Sequence, residues 1–327
     1  MSIFKNRNIL VTGGTGMVGV ALTKILINQH ANVTVCSLDD VNPFNEDVIY
    51  IKKDLRDYNN CVELCKQKDF IFHLAGIKGS PTVALKKPAS FFVPTVLFNT
   101  CLLEAAFRAQ PQHILYTSSV GVYSPAEIFY EDDVWKTFPS ENDRFAGWAK
   151  RMGELQLESY KVQYNYNNYS IVRPANVYGP YDNFDEKNAM VVPSLIRRVL
   201  ESKDTIEVWG DGSQVRDFIY SEDVARGMLM AVEKKISEPL NLGSGMGVTI
   251  KDLVETIVNN FPEKKIAIKW DTTKPTGDKI RLMDMKKFTK LGFKCTTPIS
   301  EGIKKTIEWF LKNKEYSSLK YNSFNQN

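Results

Sequence analysis

The sequence predicts an α/β protein: a doubly wound parallel sheet followed by a smaller second unit. Three observations predict it. Short apolar runs such as Ile9-Leu10-Val11 and Phe70-Ile71-Phe72 lack polar alternation, as strands buried on both faces require. Strand and helix patterns alternate from residue 8 to residue 173. The first run passes directly into Gly13-Gly14-Thr15-Gly16-Met17-Val18-Gly19, and a helical pattern on Val20, Leu22, Ile25 and Leu26 follows.

Each element then has a task in order. Glycines at 13, 16 and 19 allow a tight turn, close approach of backbone to a pyrophosphate, and close packing of helix on strand. Unpaired N–H groups at the helix start favour the phosphates, so Gly13, Thr15, Gly16, Met17, Val18 and Gly19 are expected to cradle a dinucleotide. The second strand, Asn32 to Cys36, ends at Ser37-Leu38-Asp39-Asp40, where a carboxylate normally takes the ribose hydroxyls; Asp39 is the expected partner. No arginine or lysine lies in 37–47 to meet a 2′-phosphate, which favours NAD over NADP. Asp54 and Leu55 suit the adenine edge. The strand Phe70 to His73 runs into Leu74-Ala75-Gly76, small enough for the chain to pass close to a cofactor, with Lys78 beyond; His73 reads as a packed strand residue. Ile114 to Ser119 brings Thr117 and Ser119 to the carboxyl edge, where open α/β sheets bind ligands. A further buried strand from Ile171 leads through Pro174, Asn176 and Val177, all expected at the cofactor, and breaks at Gly179-Pro180. The expected division is a dinucleotide-binding domain over 1–178 with 214–236 returning to it, a mainly substrate-binding domain over 179–320, and a flexible tail over 321–327.

Composition excludes several functions. With 42 basic against 38 acidic residues the charge is nearly balanced, and no basic stripe points to nucleic acid. Cys61 and Cys65 stand one helical turn apart in an amphipathic pattern, so the five cysteines read as reduced structural thiols and no metal is expected. A strand begins at Asn8, leaving no room for a signal peptide, and no apolar run approaches membrane length; the expectation is a cytoplasmic protein without a membrane partner.

The second half carries the substrate signals. Trp209, in Val208-Trp209-Gly210, and Arg216 combine an indole that can cover a base or sugar with a guanidinium that can grip a diphosphate. These residues, together with Gly179 to Phe184, Val191 to Arg198, Lys274-Pro275-Thr276-Gly277, Arg281, Asp284, Leu291-Gly292 and Trp309-Phe310-Leu311, resemble the GDP-L-fucose synthases. Those enzymes form a branch of the extended short-chain dehydrogenase/reductases, in the NAD-dependent epimerase/dehydratase family. The resemblance spans residues 7 to 313.

What the resemblance implies is mixed. Ser119 matches the catalytic serine, four residues before Tyr123, and Lys150 matches the lysine that anchors the nicotinamide ribose. Asn176, Arg198, Trp209, Arg216 and Arg281 match substrate-side positions, and a homodimer through helices near 100–110 and 148–160 is implied. Three positions depart. Ala146 stands where the proton-donating tyrosine belongs, Gly121 where the epimerase cysteine belongs, and Met190 where its histidine partner belongs. Val120-Gly121 replaces the Asp-Glu pair of the dehydratases. The expected function is therefore NAD-dependent epimerisation, reduction or oxidation of a nucleotide-linked sugar, a GDP-sugar first. Tyr123, Tyr181, Asp182, Lys78 or a water on Ser119 and Lys150 would carry the proton. The alternative is a non-catalytic or inactivated relative that still binds the nucleotides.

Overall fold

Ile9, Leu10 and Val11 in β1 (Asn8–Thr12) are fully buried, so this strand has no solvated face and must lie inside a covered sheet. The computed structural model describes all residues except 1, 80, 187, 275, 322, 323 and 325–327. After β1 come α1 (Met17–Asn28), β2 (Asn32–Ser37), β3 (Ile49–Lys52), α2 (Tyr58–Cys65) and β4 (Phe70–His73). Then follow α3 (Pro81–Lys86), α4 (Pro88–Ala109), β5 (His113–Thr117), β6 (Ile128–Phe129), α5 (Arg144–Tyr164), β7 (Tyr169–Pro174) and β8 (Asn176–Tyr178). The rest is α6 (Val191–Glu201), β9 (Thr205–Trp209), β10 (Val215–Tyr220), α7 (Ser221–Glu233), β11 (Leu240–Leu242), β12 (Gly247–Thr249), α8 (Ile250–Val258), β13 (Ala267–Asp271), β14 (Ile280–Met283), α9 (Lys286–Lys290) and α10 (Ile299–Lys312).

The large sheet has seven strands in the order β3-β2-β1-β4-β5-β7-β11, all parallel. The chain leaves β1 toward β2 and β3, then crosses back to place β4 on the other flank of β1. That reversal opens a crevice at the carboxyl ends of β1 and β4. Two glycines show how closely the chain folds there. A Cβ on Gly13, whose φ is +66°, would lie 2.8 Å from the Ala75 nitrogen, and one on Gly19 would lie 2.3 Å from the Gly13 oxygen.

Helix α4 is, among the described residues, the one long and apolar enough by length and composition alone to cross a membrane. It buries Phe98, Leu102, Leu103 and Ala106 in the core formed with α2 and α5, as a core helix does.

A second layer begins where the chain leaves β7. Strands β12, β10, β14 and β6 form a smaller sheet with β8 on β10, and β9 pairs with β13 apart from it. Helices α6, α8 and α10 cover this unit through Leu195, Ile196, Val254, Ile257, Ile303 and Ile307. Strand β10 belongs to the small sheet, α7 packs on α1 and β7, and β11 joins the large sheet. Of the stretch expected as a tail, Tyr321 and Phe324 are within the described residues and the others lie outside them.

Candidate active site

Helix α1 begins at Gly16 with no side chain capping it, so the N–H groups of its first turn remain for a ligand. Met17, Val18 and Gly19 line a cleft of about 590 Å³ at the carboxyl edge of the large sheet. Gly13, Thr15, Gly16, Asp39, Asp54, Leu55, Leu74, Ala75, Gly76, Lys78, Thr117, Ser119 and Lys150 line the same cleft, bringing most of the expected cofactor residues together. Pro174, Asn176 and Val177 are not among the lining residues: Pro174 ends β7, Asn176 and Val177 lie in β8, which pairs with β10, and the Asn176 amide donates to the Asp217 carbonyl at 2.8 Å.

Asp39 anchors one end of the cleft. The Thr15 hydroxyl donates to its Oδ2 at 2.7 Å, and its Oδ1 accepts from the Tyr321 N–H at 2.8 Å. The cations nearby are engaged: Lys52 pairs with Asp40, Lys53 with Glu63, and Arg56 with Asp54. The Arg56 guanidinium holds the Asp54 carboxyl below the usual carboxylate range.

Ser119 and Lys150 mark the other end. Lys150 lies on α5 and donates to the Thr117 carbonyl oxygen at 2.8 Å, while the Ser119 hydroxyl accepts from the Gly121 N–H at 3.1 Å. Burial lowers the Lys150 ammonium to about 8, opposed by the charge of Glu154 one turn along the helix. Glu154 is itself buried; it accepts from Ser118 at 2.5 Å and is paired with Arg173 at 2.6 Å, with side-chain exposures of 2% and 1%. This inner pair fixes the end of β5 from below. His73 is fully buried between Thr12 at 2.7 Å and Asn99 at 2.9 Å; burial, with the Lys150 charge, lowers it to about 3 and keeps it neutral.

Tyr123 is not at the cleft. Its hydroxyl donates to Asn241 Oδ1 at 2.5 Å and accepts from Arg173 at 3.1 Å, its ring stacks on Phe129, and burial pushes the phenol well above its ordinary value. A phenol closed into that network cannot exchange a proton with a ligand, which corrects its expected catalytic role. Lys78 and Asp182 do line the cleft and form an ion pair at 2.6 Å. Asp182 is 2% exposed and its Oδ2 has no hydrogen-bond partner among the described residues; the same holds for the Thr117 hydroxyl. Tyr181 also lines the cleft, with its hydroxyl turned to Lys24 at 3.3 Å.

Gly121, which is not among the residues lining this cleft, is faced by an acidic side chain. A Cβ on Gly121 would stand 3.5 Å from Oδ1 of Asp143, the residue one turn before Ala146. Asp143 accepts from Arg281 at 3.0 Å and from Ser140 at 3.1 Å. The sequence reading missed Asp143, whose only signal was a carboxylate at helical spacing before position 146.

Arg281 and Arg216 are register partners on parallel strands β14 and β10. Arg281 has Asp143 and Asp278 as ion partners, whereas Arg216 bonds only its neighbour's carbonyl, at 2.9 Å from Val215, among the described residues. Burial and the Arg281 charge lower the Arg216 guanidinium, so an anion arriving there relieves a like-charge pair. Trp209 is exposed on β9, and half-buried Arg198 on α6 feels the charge of Glu207 on that strand. None of these four lines the cofactor cleft. Pro275, in a segment that carried the resemblance, lies outside the described residues.

The five cysteines are free, and burial pushes the Cys36 thiol to about 11 and the Cys65 thiol to about 12, so both stay protonated.

A doubly wound sheet with an uncapped glycine-loop helix, and a serine and lysine at its carboxyl edge, defines a protein of the extended short-chain dehydrogenase/reductase class. The profile of the NAD dependent epimerase/dehydratase family matches residues 9–243. A probable GDP-L-fucose synthase 1 of Oryza sativa is 30% identical, with 94% of this chain and 93% of that protein covered. A GDP-L-colitose synthase of Yersinia pseudotuberculosis is 27% identical over 94% of this chain and 98% of its own length. The crystal structure of a Thermotoga maritima UDP-glucose 4-epimerase with UDP-glucose superposes with a TM-score of 0.82 at 27% identity, covering 94% of this chain and all of that one. The chain belongs to the NAD-dependent epimerase/dehydratase family, and it is an NAD(P)-dependent enzyme of the nucleotide-sugar type.

Proposed function

We propose that this protein binds NAD(H) and carries out oxidation, reduction or epimerisation on a GDP-linked sugar without the usual tyrosine relay. The observation that carries the reading is the Ser119–Lys150 edge at the cleft, with the Asp143 carboxylate close to Gly121 two residues beyond Ser119. The residues fit a dinucleotide: uncapped N–H groups of α1, the Asp39 carboxylate, and polar atoms of Thr117 and Asp182 left without partners all face one cleft. The bound cofactor would supply hydride acceptance or donation.

This chain's side chains would do the rest. Asp39 would take the adenosine ribose hydroxyls, with Thr15 fixing the orientation of its carboxylate. Its negative charge, and the engagement of Lys52, Lys53 and Arg56 with carboxylates, favour NAD over NADP. Lys150 would hold the nicotinamide ribose and Ser119 the sugar oxygen. Arg216 would grip the diphosphate with Arg281 beside it, Trp209 and Arg198 would meet the nucleoside, and Asp143 would accept the proton released from the sugar. Exposed Val93, Leu97 and Leu155 on α4 and α5 suit a homodimer through these helices.

The test is a screen of GDP-, UDP- and dTDP-sugars with NAD and NADP, run on the unaltered protein and on Asp143→Asn. Turnover of a GDP-sugar that Asp143→Asn removes while both nucleotides still bind is the expected result. Undiminished turnover by Asp143→Asn would discard Asp143 as the base, and tight binding with no turnover of any sugar would favour the non-catalytic relative.

A further inference from the structure

Lys320, Tyr321 and Phe324, near the end of the sequence, are among the residues lining the cofactor cleft. Each of the three makes contacts there. The Lys320 ammonium donates to the Tyr181 carbonyl at 2.6 Å and lies 3.4 Å from the carbonyl of Thr15 in the glycine loop. The Tyr321 N–H donates to Asp39 Oδ1 at 2.8 Å, taking the carboxylate oxygen that Thr15 leaves open. The Tyr321 side chain lies within electrostatic reach of Arg56, so this residue spans the interval between Asp39 and the Asp54–Arg56 pair. At the far wall the Phe324 ring meets Phe91 at 4.9 Å, and the Phe324 carbonyl accepts from Lys87 at 2.9 Å.

We infer that Lys320, Tyr321 and Phe324 are built-in occupants of the adenosine half of the cofactor cleft, so that the dinucleotide binds only after displacing them. This rests on the reading of the cleft as the dinucleotide site. The physical argument is one of shared groups. A ribose diol needs both carboxylate oxygens of Asp39 as acceptors, and one is already bonded to the Tyr321 N–H. A pyrophosphate needs open access to the start of α1, and the Lys320 side chain runs to the Thr15 carbonyl there. Adenine needs the interval beside Asp54 and Leu55, which Tyr321 enters. Because cofactor and segment bind the same atoms, the apparent affinity is the intrinsic affinity multiplied by the fraction of molecules with the segment displaced. Nothing in the nearby sequence announces the contact: Thr15 and Lys320 are 305 residues apart.

Titration of NADH by fluorescence, on the full chain, on a chain ending at Leu319, and on Tyr321→Pro, tests this. Tyr321→Pro removes both the N–H that reaches Asp39 and the side chain in the adenine interval, at a position beyond the helical segment that ends at Leu319. Both variants should bind NADH at least about fivefold more tightly than the full chain. In the full chain, cofactor should also speed tryptic cleavage after Lys320, read by mass spectrometry. Weaker binding by the shortened chain would make the segment a clamp that completes the site, and equal binding would make it a bystander; either overturns the inference. Absence of dinucleotide binding in all three chains would overturn the reading of the cleft itself.

Discussion

The Lys150 ammonium donates to the carbonyl oxygen of Thr117 at 2.8 Å, tying helix α5 to the carboxyl end of β5 at the mouth of the cleft. One turn earlier on the same helix stands Ala146, so the lysine keeps its place while the group it normally assists is missing.

That placement gives a pH dependence. Burial lowers Lys150 to about 8, so the ammonium is present below that value and the neutral amine above it. A ribose hydroxyl bonded to the ammonium favours the charged form, so NADH affinity should fall as pH rises through about 8. Titrations from pH 6.5 to 9.5 should show this inflection in the natural chain and none in Lys150→Arg, which stays charged throughout. Lys150→Ala should abolish whatever turnover exists.

Restoring the missing phenol is the complementary change. Ala146→Tyr places a hydroxyl one turn from Lys150, where the charge of the ammonium lowers a phenol's pKa. Reduction of 4-keto nucleotide sugars should rise by about 10²-fold or more, measured as NADH consumption. An unchanged rate with unchanged binding would mean that the proton never enters from that side.

Arg216 lacks a carboxylate partner among the described residues, and its neighbour Arg281 has two. Arg216→Ala should weaken GDP binding by roughly 1.5–3 kcal/mol in calorimetry. Arg281→Ala should also release Asp143 and so affect turnover more than binding.

The buried Arg173–Glu154 pair underlies the edge that carries Ser118 and Ser119. Glu154→Ala strands a guanidinium with 1% exposure, at a cost of roughly 3–5 kcal/mol in denaturant unfolding. Replacing both residues with apolar side chains of similar volume should recover much of that loss.

The dinucleotide half was legible because each of its signals is local. Glycine spacing, apolar strands and a carboxylate after β2 place Gly13 to Gly19, Asp39 and Thr117 without knowledge of distant contacts. Tyr123 misled because proximity in sequence to Ser119 says nothing about direction: the chain turns through a short 3-10 segment after Ser119 and sends the ring inward onto Phe129. The place of Asn176 was not legible, because the break after β7 moves the chain into a second sheet, where β8 pairs with β10. Asp143 and Lys320 were invisible for a different reason. One meets Gly121 only through the tertiary fold, and the other reaches the glycine loop from the far end of the sequence; neither leaves a periodic trace.

The most direct test of the account is incubation of the unaltered protein with GDP-4-keto-6-deoxymannose and NADH or NADPH, with GDP-fucose read by chromatography. With Ala146, Gly121 and Met190 in place of the proton-handling side chains, both nucleotides should bind while fucose formation is absent or about 10²–10⁴-fold slower than a tyrosine relay gives. Robust formation of GDP-fucose would contradict the account.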